Sequence, residues 1–195
     1  MLVNAIGTLE PAVYAPTWAK EEPLYEIING KILELPPMGI YASLIAFKIG
    51  YLLQTWCIRH GLGTVVVEGL FILDSAKNLR RRPDVAFVSA QKWPPDQPPP
   101  EAGDWEVIPD LAVEVISPND VFQDVLQKMQ EYFRLGVRQV WIVIPSNREI
   151  YVYDSPISPR VLSAVQELDG GSLLPGLRMP VGSLFHQQPK GAPAT

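Results

Sequence analysis

Along the chain, apolar residues change their spacing from two to about three and a half and back, and each change predicts an element. The run LYEIINGKILELPP, residues 24–37, alternates on either side of Asn29-Gly30. Two alternating runs about an Asn-Gly pair predict a β-hairpin, because its tight turn needs positive φ at both central positions. From Gly39 to His60 the spacing of Leu44, Phe47, Ile49, Tyr51, Leu52 and Trp56 predicts one long helix with these residues as its apolar stripe. TVVVEGLFIL predicts a single strand bent near Gly69, Asp74–Asn78 a turn, and residues 83–89 the next strand. WPPDQPPP is a surface loop, since its prolines remove donors and fix φ. PDLAVEVIS then predicts a buried strand broken by Pro118, with Asn119 or Asp120 capping a helix that runs through Leu135 to Gly136. RQVWIVIP, REIYVYD and VLSAVQEL predict further strands. Residues 1–16 carry no strong period and predict a loose arm; Thr17 caps a short helical turn through Glu22, and residues 187–195 fray. The order predicts one α/β domain over 17–186 with a mixed sheet.

Composition narrows the class without changing that outline. The 195 residues are enough for one substantial core, and 47% hydrophobic with 19% charged residues is a globular balance. A net charge of -5 gives no global attraction for a polyanion, so nucleic acid would have to be met by a local basic patch. One cysteine excludes an internal disulfide, and two histidines with that cysteine argue against structural zinc. No apolar run reaches the length of a membrane span, and the first residues lack the basic and apolar regions of a signal peptide. The expectation is a cytoplasmic protein.

The chemistry is concentrated between Arg80 and Lys128. Two apolar strand runs each carry one acid where burial predicts a hydrophobe, Asp84 and Glu114. A lone buried carboxylate costs several kcal/mol unless it is paired. Two on neighbouring strands suggest a shared cation. From Glu114 to Ser117 a strand advances about 10 Å, and from Asp120 to Lys128 a helix returns about 12 Å. Lys128 therefore comes back beside Glu114. Two carboxylates with a hard divalent ion, and a lysine beside them, can run phosphodiester hydrolysis. The backbone carbonyl of Val115 is placed as a further ligand, and Glu34 on the hairpin could point at the same site. Arg80, Arg81 and Arg82 could contact flanking phosphates; their plainer reading is a solvated loop end. Glu68 is an edge charge or a partner for these arginines, and Glu26 reads as a solvent-facing strand residue. Asp124, Lys128 and Glu131 share one helix face, where Asp124 and Lys128 could also be an ordinary surface pair.

RRPDVAFV, then DLAVEVISPND, then KMQEYFRLGVRQVWIV, together with YEIINGKILELPP, resemble the Uma family of restriction-endonuclease-like proteins within the PD-(D/E)XK nuclease superfamily, over residues 20–185. The resemblance implies an αβββαβ core flanked by the hairpin and by C-terminal edge strands. It implies Asp84 and Glu114 as ligands of Mg2+, for which Mn2+ can substitute, and Lys128 in the lysine role. The chain departs from the superfamily at Ile116, where most members carry that lysine, and from many relatives at Ile40-Tyr41 and Pro145. The function it implies is a metal-dependent DNA endonuclease without an organic cofactor; the alternative is a decayed nuclease scaffold that binds nucleic acid or protein without cutting. A homodimer is expected, pairing through the edge of the Ile150–Asp154 hairpin or the tail strands.

Overall fold

The computed structural model describes residues 23–186 apart from Ala102 and Asn119. The expected arm, the Thr17 cap, an Asn119 cap and the frayed tail lie outside the described residues. The first elements are β1 (Tyr25–Ile28) and β2 (Lys31–Glu34), joined by Asn29 at φ 51° and Gly30 at φ 77°, so the hairpin forms as the Asn-Gly pair requires. Then come α1 (Ile40–His60), β3 (Gly63–Val67), β4 (Phe71–Asp74), β5 (Leu79–Arg81) and β6 (Val85–Ser89). They are followed by β7 (Leu111–Val115), α2 (Phe122–Arg134), β8 (Gln139–Ile144), β9 (Glu149–Tyr153), β10 (Pro159–Ser163), β11 (Glu167–Asp169) and β12 (Arg178–Pro180). A short 3-10 turn over Val181–Leu184 packs behind β12.

The main sheet has six strands in the order β10-β9-β8-β7-β6-β3. Only β7 and β8 run parallel, and α2 is the crossover between them. α1 covers one face, where Ala42, Ile45, Ala46, Ile49 and Leu53 meet Val85, Leu111, Val113 and Trp141. α2 covers the other, where Met129 and Tyr132 meet Ala112, Val140 and Ile142. Covered on both faces, β7 has no exposed residue, which is why its sequence is an unbroken apolar run except for Glu114. The αβββαβ core is α1, β3, β6, β7, α2 and β8. β4 and β5 leave it to join the hairpin in a second sheet, ordered β2-β1-β5-β4. No helix among the described residues is long and apolar enough to cross a membrane.

Four expectations need correction. TVVVEGLFIL is two strands, not one: Glu68 takes φ 53° and sends β4 to the second sheet. Arg80 and Arg81 stand on β5, a three-residue strand too short to show alternation. The buried stripe of α1 is Ala42, Ile45, Ala46, Ile49, Leu53 and Cys57, while Leu44, Phe47 and Tyr51 are exposed. The small residues face the sheet because they let the helix sit close. Finally, β9 is paired on both sides, by β8 and β10, so the Ile150–Asp154 strand has no free edge to offer a second copy.

Gly63 holds the start of β3 against β6 at φ 145°, and a Cβ there would lie 2.1 Å from the carbonyl oxygen of Val88. Gly63→Ala should therefore cost about 2–4 kcal/mol in a urea melt, since neither backbone can yield without breaking the edge pairing.

Candidate active site

The site begins with a missing hydrogen bond. β6 and β7 pair with Val85 opposite Val113, so two residues further on Pro83 falls opposite Val115. Proline has no N–H to give Val115's carbonyl. The amide of Val115 is taken instead by the Asp84 side chain, whose Oδ2 accepts at 2.5 Å. In a strand the N–H and C=O of one residue point the same way. The carbonyl of Val115 is thus turned toward Asp84 with no partner from β6. Alternation sends Asp84 and Glu114 to the face that carries α2, together with Ala86 and Ala112.

α2 brings two donors to Glu114. Lys128 Nζ stands 2.9 Å from Oε2, and Tyr132, one turn later on the same helix face, donates its hydroxyl to Oε1 at 2.7 Å. A third carboxylate arrives from β1. Glu26 is only 2% exposed, with Oε1 3.0 Å from Lys128 Nζ and Oε2 accepting from Arg81 at 2.7 Å. Arg81 also holds Glu131, at 2.5 Å. The result is an alternating chain of charges, Glu114–Lys128–Glu26–Arg81–Glu131, spanning β7, α2, β1 and β5. It lies at the floor of a cleft of about 690 Å3 lined by both strand ends, the hairpin, the 35–39 segment and the start of α2.

Of the residues expected at the site, Asp84, Glu114, Val115 and Lys128 come together here, and Glu34 lines the cleft as an exposed residue of β2. The three arginines do not form a patch. Arg80 pairs with Asp104; Arg81 is buried between Glu26 and Glu131; Arg82 donates to the carbonyls of Tyr25 and Glu68 and packs 5.9 Å over the Tyr25 ring. Arg81 is thus turned inward, where two acids satisfy it, rather than toward a phosphate. Glu68 meets Arg82 through its carbonyl, not its side chain. Asp120 caps the loop rather than the helix, its Oδ2 accepting from Ser117 N at 2.6 Å. Glu26 is the main correction: its partners come from the neighbouring strand β5 and from α2, and leave no mark on its own strand. Tyr132, four residues after Lys128, was readable as sharing its helix face.

The Uma2 family, described as "Putative restriction endonuclease", matches residues 13–182. The chain belongs to this family. The fold is similar to a solved structure from Anabaena variabilis ATCC 29413, titled "a putative nuclease belonging to DUF820", with TM-score 0.71 and 20% identity over 84% of this chain and 90% of that one. Among curated proteins, no sequence matches. Family membership and fold together make this a nuclease-like domain.

In this Uma2 chain the charges are set by burial and by one another. Burial, then the neighbouring charge of Glu114, pushes Asp84 up to about 8. Burial alone would lower Lys128, but Glu114, Glu26 and Asp84 outweigh it and keep the ammonium above its ordinary range. Glu26 feels the same burial in the opposite sense, yet Lys128 and Arg81 hold it below the usual carboxylate range. The site therefore carries a lysine cation beside an Asp84 whose charged form is disfavoured until a further cation joins it.

Two outcomes follow. An unfolded Asp84 releases its proton near 3.8, whereas the folded one holds it to about 8. The folded chain therefore binds more protons across that window, and this group's contribution weakens the fold as pH climbs through it. Asp84→Asn should raise the melting temperature of the metal-free protein at pH 8 by roughly 3–6 °C, and by much less at pH 4.5, in paired thermal scans. Glu26→Ala strips two buried cations of their shared acid and should cost about 3–5 kcal/mol by chemical denaturation.

Proposed function

We propose that this chain is a divalent-metal-dependent endonuclease that hydrolyses DNA phosphodiester bonds, with Mg2+ as its ion and Mn2+ a substitute. The observation that carries the reading is the convergence of Asp84, Glu114 and the Lys128 ammonium on one cleft, beside a Val115 carbonyl that Pro83 leaves without a donor. The donor set fits a hard cation. Every candidate ligand is oxygen, and among the described residues no three of His, Cys, Asp and Glu gather as a ready cage. Two carboxylates and a carbonyl leave the remaining positions to water, which suits Mg2+, an ion that keeps several waters. Bound there, it would acidify a coordinated water and draw charge from the phosphoryl oxygens.

The protein's own groups take the other roles. Lys128, held as a cation, donates to the attacking water and to the charge that develops on the phosphoryl oxygens; it is no general base. Glu26 helps keep that ammonium aimed, and Tyr132 fixes the rotamer of Glu114. Arg82, half-buried in the cleft wall, is the arginine best placed to meet a phosphate next to the scissile bond.

The test is plasmid cleavage with Mg2+ or Mn2+. Wild type should nick and linearise DNA, Glu114→Ala should do neither, and Lys128→Met should lower kcat by about 10²–10³-fold while Mn2+ binding by calorimetry persists. Cleavage that survives Glu114→Ala would sink the reading. DNA retention without cleavage by the wild type would select the decayed, binding-only scaffold.

A further inference from the structure

The cleft chemistry leaves the outer face of α1 unexplained. Ile40 is 88% exposed, Phe47 63%, Tyr51 62% and Ile58 71%, with Leu44 between the first two also exposed. Their spacing of four, three, four and seven puts them in one stripe along a 21-residue helix. α1 contains no acidic residue. Its one mid-helix charge, Lys48, is folded back onto the carbonyls of Leu184 at 3.1 Å and Ser183 at 3.5 Å. A helix apolar on both faces is one that is covered on both, and a contiguous apolar stripe on a surface marks an interface.

We propose that this stripe is the contact between two copies of the chain, their α1 helices antiparallel across a two-fold axis. The reason for a second copy is that the stripe reads the same in both directions about position 49. Ile40 mirrors Ile58, Phe47 mirrors Tyr51, and Leu44 mirrors Gln54. In an isologous contact residue i meets j and j meets i, so every large side chain of the stripe but Leu44 meets another. Even Gln54 is compatible, because its carboxamide oxygen is occupied by the amide of Val65 on its own chain. Beside Tyr51 lies an apolar cavity of about 180 Å3, walled by Leu52, Thr55, Trp56, Met179 and Pro180. That is small against the roughly 300–1,000 Å3 of ligand sites, and the mirror position places Phe47 of a second copy at its mouth. The stripe would bury on the order of 600 Å2 per copy, approaching the ~800 Å2 of a standard interface. The 35–39 segment before α1 lines the cleft, so antiparallel pairing puts two clefts at opposite ends of a contact about 30 Å long.

Sedimentation of the full-length chain at micromolar concentration tests the pairing independently of any nuclease assay. Wild type should run as a dimer, and Phe47→Glu as a monomer with an unchanged circular dichroism spectrum, since the ring it replaces touches solvent. The register is tested by oxidation. An equal mixture of Phe47→Cys and Tyr51→Cys should give a disulfide-linked dimer, while either variant alone should cross-link at least several-fold more slowly. Native Cys57 is buried, its thiol pushed up to about 11 by desolvation, and does not compete. A monomeric wild type, a Phe47→Glu that still dimerises, or Phe47→Cys that links to itself as fast as the mixture would each overturn the proposal.

Discussion

Lys128 is a single ammonium shared by two buried carboxylates, Glu26 at 3.0 Å and Glu114 at 2.9 Å. Its charge offsets part of the burial cost of both acids, and without them burial would drive the lysine toward its neutral form. The three come from β1, β7 and α2, elements of two sheets and a helix. Arg81 extends the same alternation from Glu26 to Glu131 and so fastens the hairpin sheet to α2 at a second point. Few apolar contacts could fix the relative position of those pieces as tightly, because charged hydrogen bonds are short and directional. The cost is that each member depends on the next: the charge network that holds the cleft also makes it a place where one lost partner is expensive.

Asp84 stands outside that chain and is treated differently. It accepts one backbone amide and faces Glu114 with no cation of its own within bonding distance. That is an arrangement a protein optimised for stability alone would not keep, since an asparagine would hold the same amide without the repulsion. A strained carboxylate next to an unpaired carbonyl is the kind of local cost that folds carry at functional sites. Pro83 is what opens the carbonyl, so the Pro-Asp pair acts as one device: the first residue removes a donor and the second brings the charge.

How much of this the sequence disclosed follows from the range of each interaction. The hairpin was legible because its turn chemistry is contained in two adjacent residues. Glu114 was legible because an acid inside Leu111–Val115 contradicts its own surroundings, and Lys128 because strand and helix rises are fixed lengths. Glu26 was not, because its burial depends on Arg81 and Lys128, 55 and 102 residues away in sequence. β5 was missed because three residues cannot show a period, and with it the inward turn of Arg81. The stripe of α1 was misread for a more general reason. Apolar residues surround the helix, so pattern alone cannot say which face meets the sheet; the small residues Ala42, Ala46 and Gly50 were the cue, since only they let a helix lie close.

The place of Lys128 on α2 has a physical explanation in the same packing. Residue 116 points to the face of the main sheet that Glu114 uses, where a lysine two positions on would reach the carboxylate from along the strand. Here that position is Ile116, packed against the apolar cluster under α2. Placing an ammonium there would bury its stem against that apolar cluster and strip water from the charge. Carried on α2, the lysine approaches Glu114 from above the sheet and passes Glu26 on the way, so both of its sides are matched. The helix position of Lys128 and the burial of Glu26 therefore depend on one another. With isoleucine at 116, Glu26 on the hairpin is what matches the second side of the helix-borne lysine in this chain.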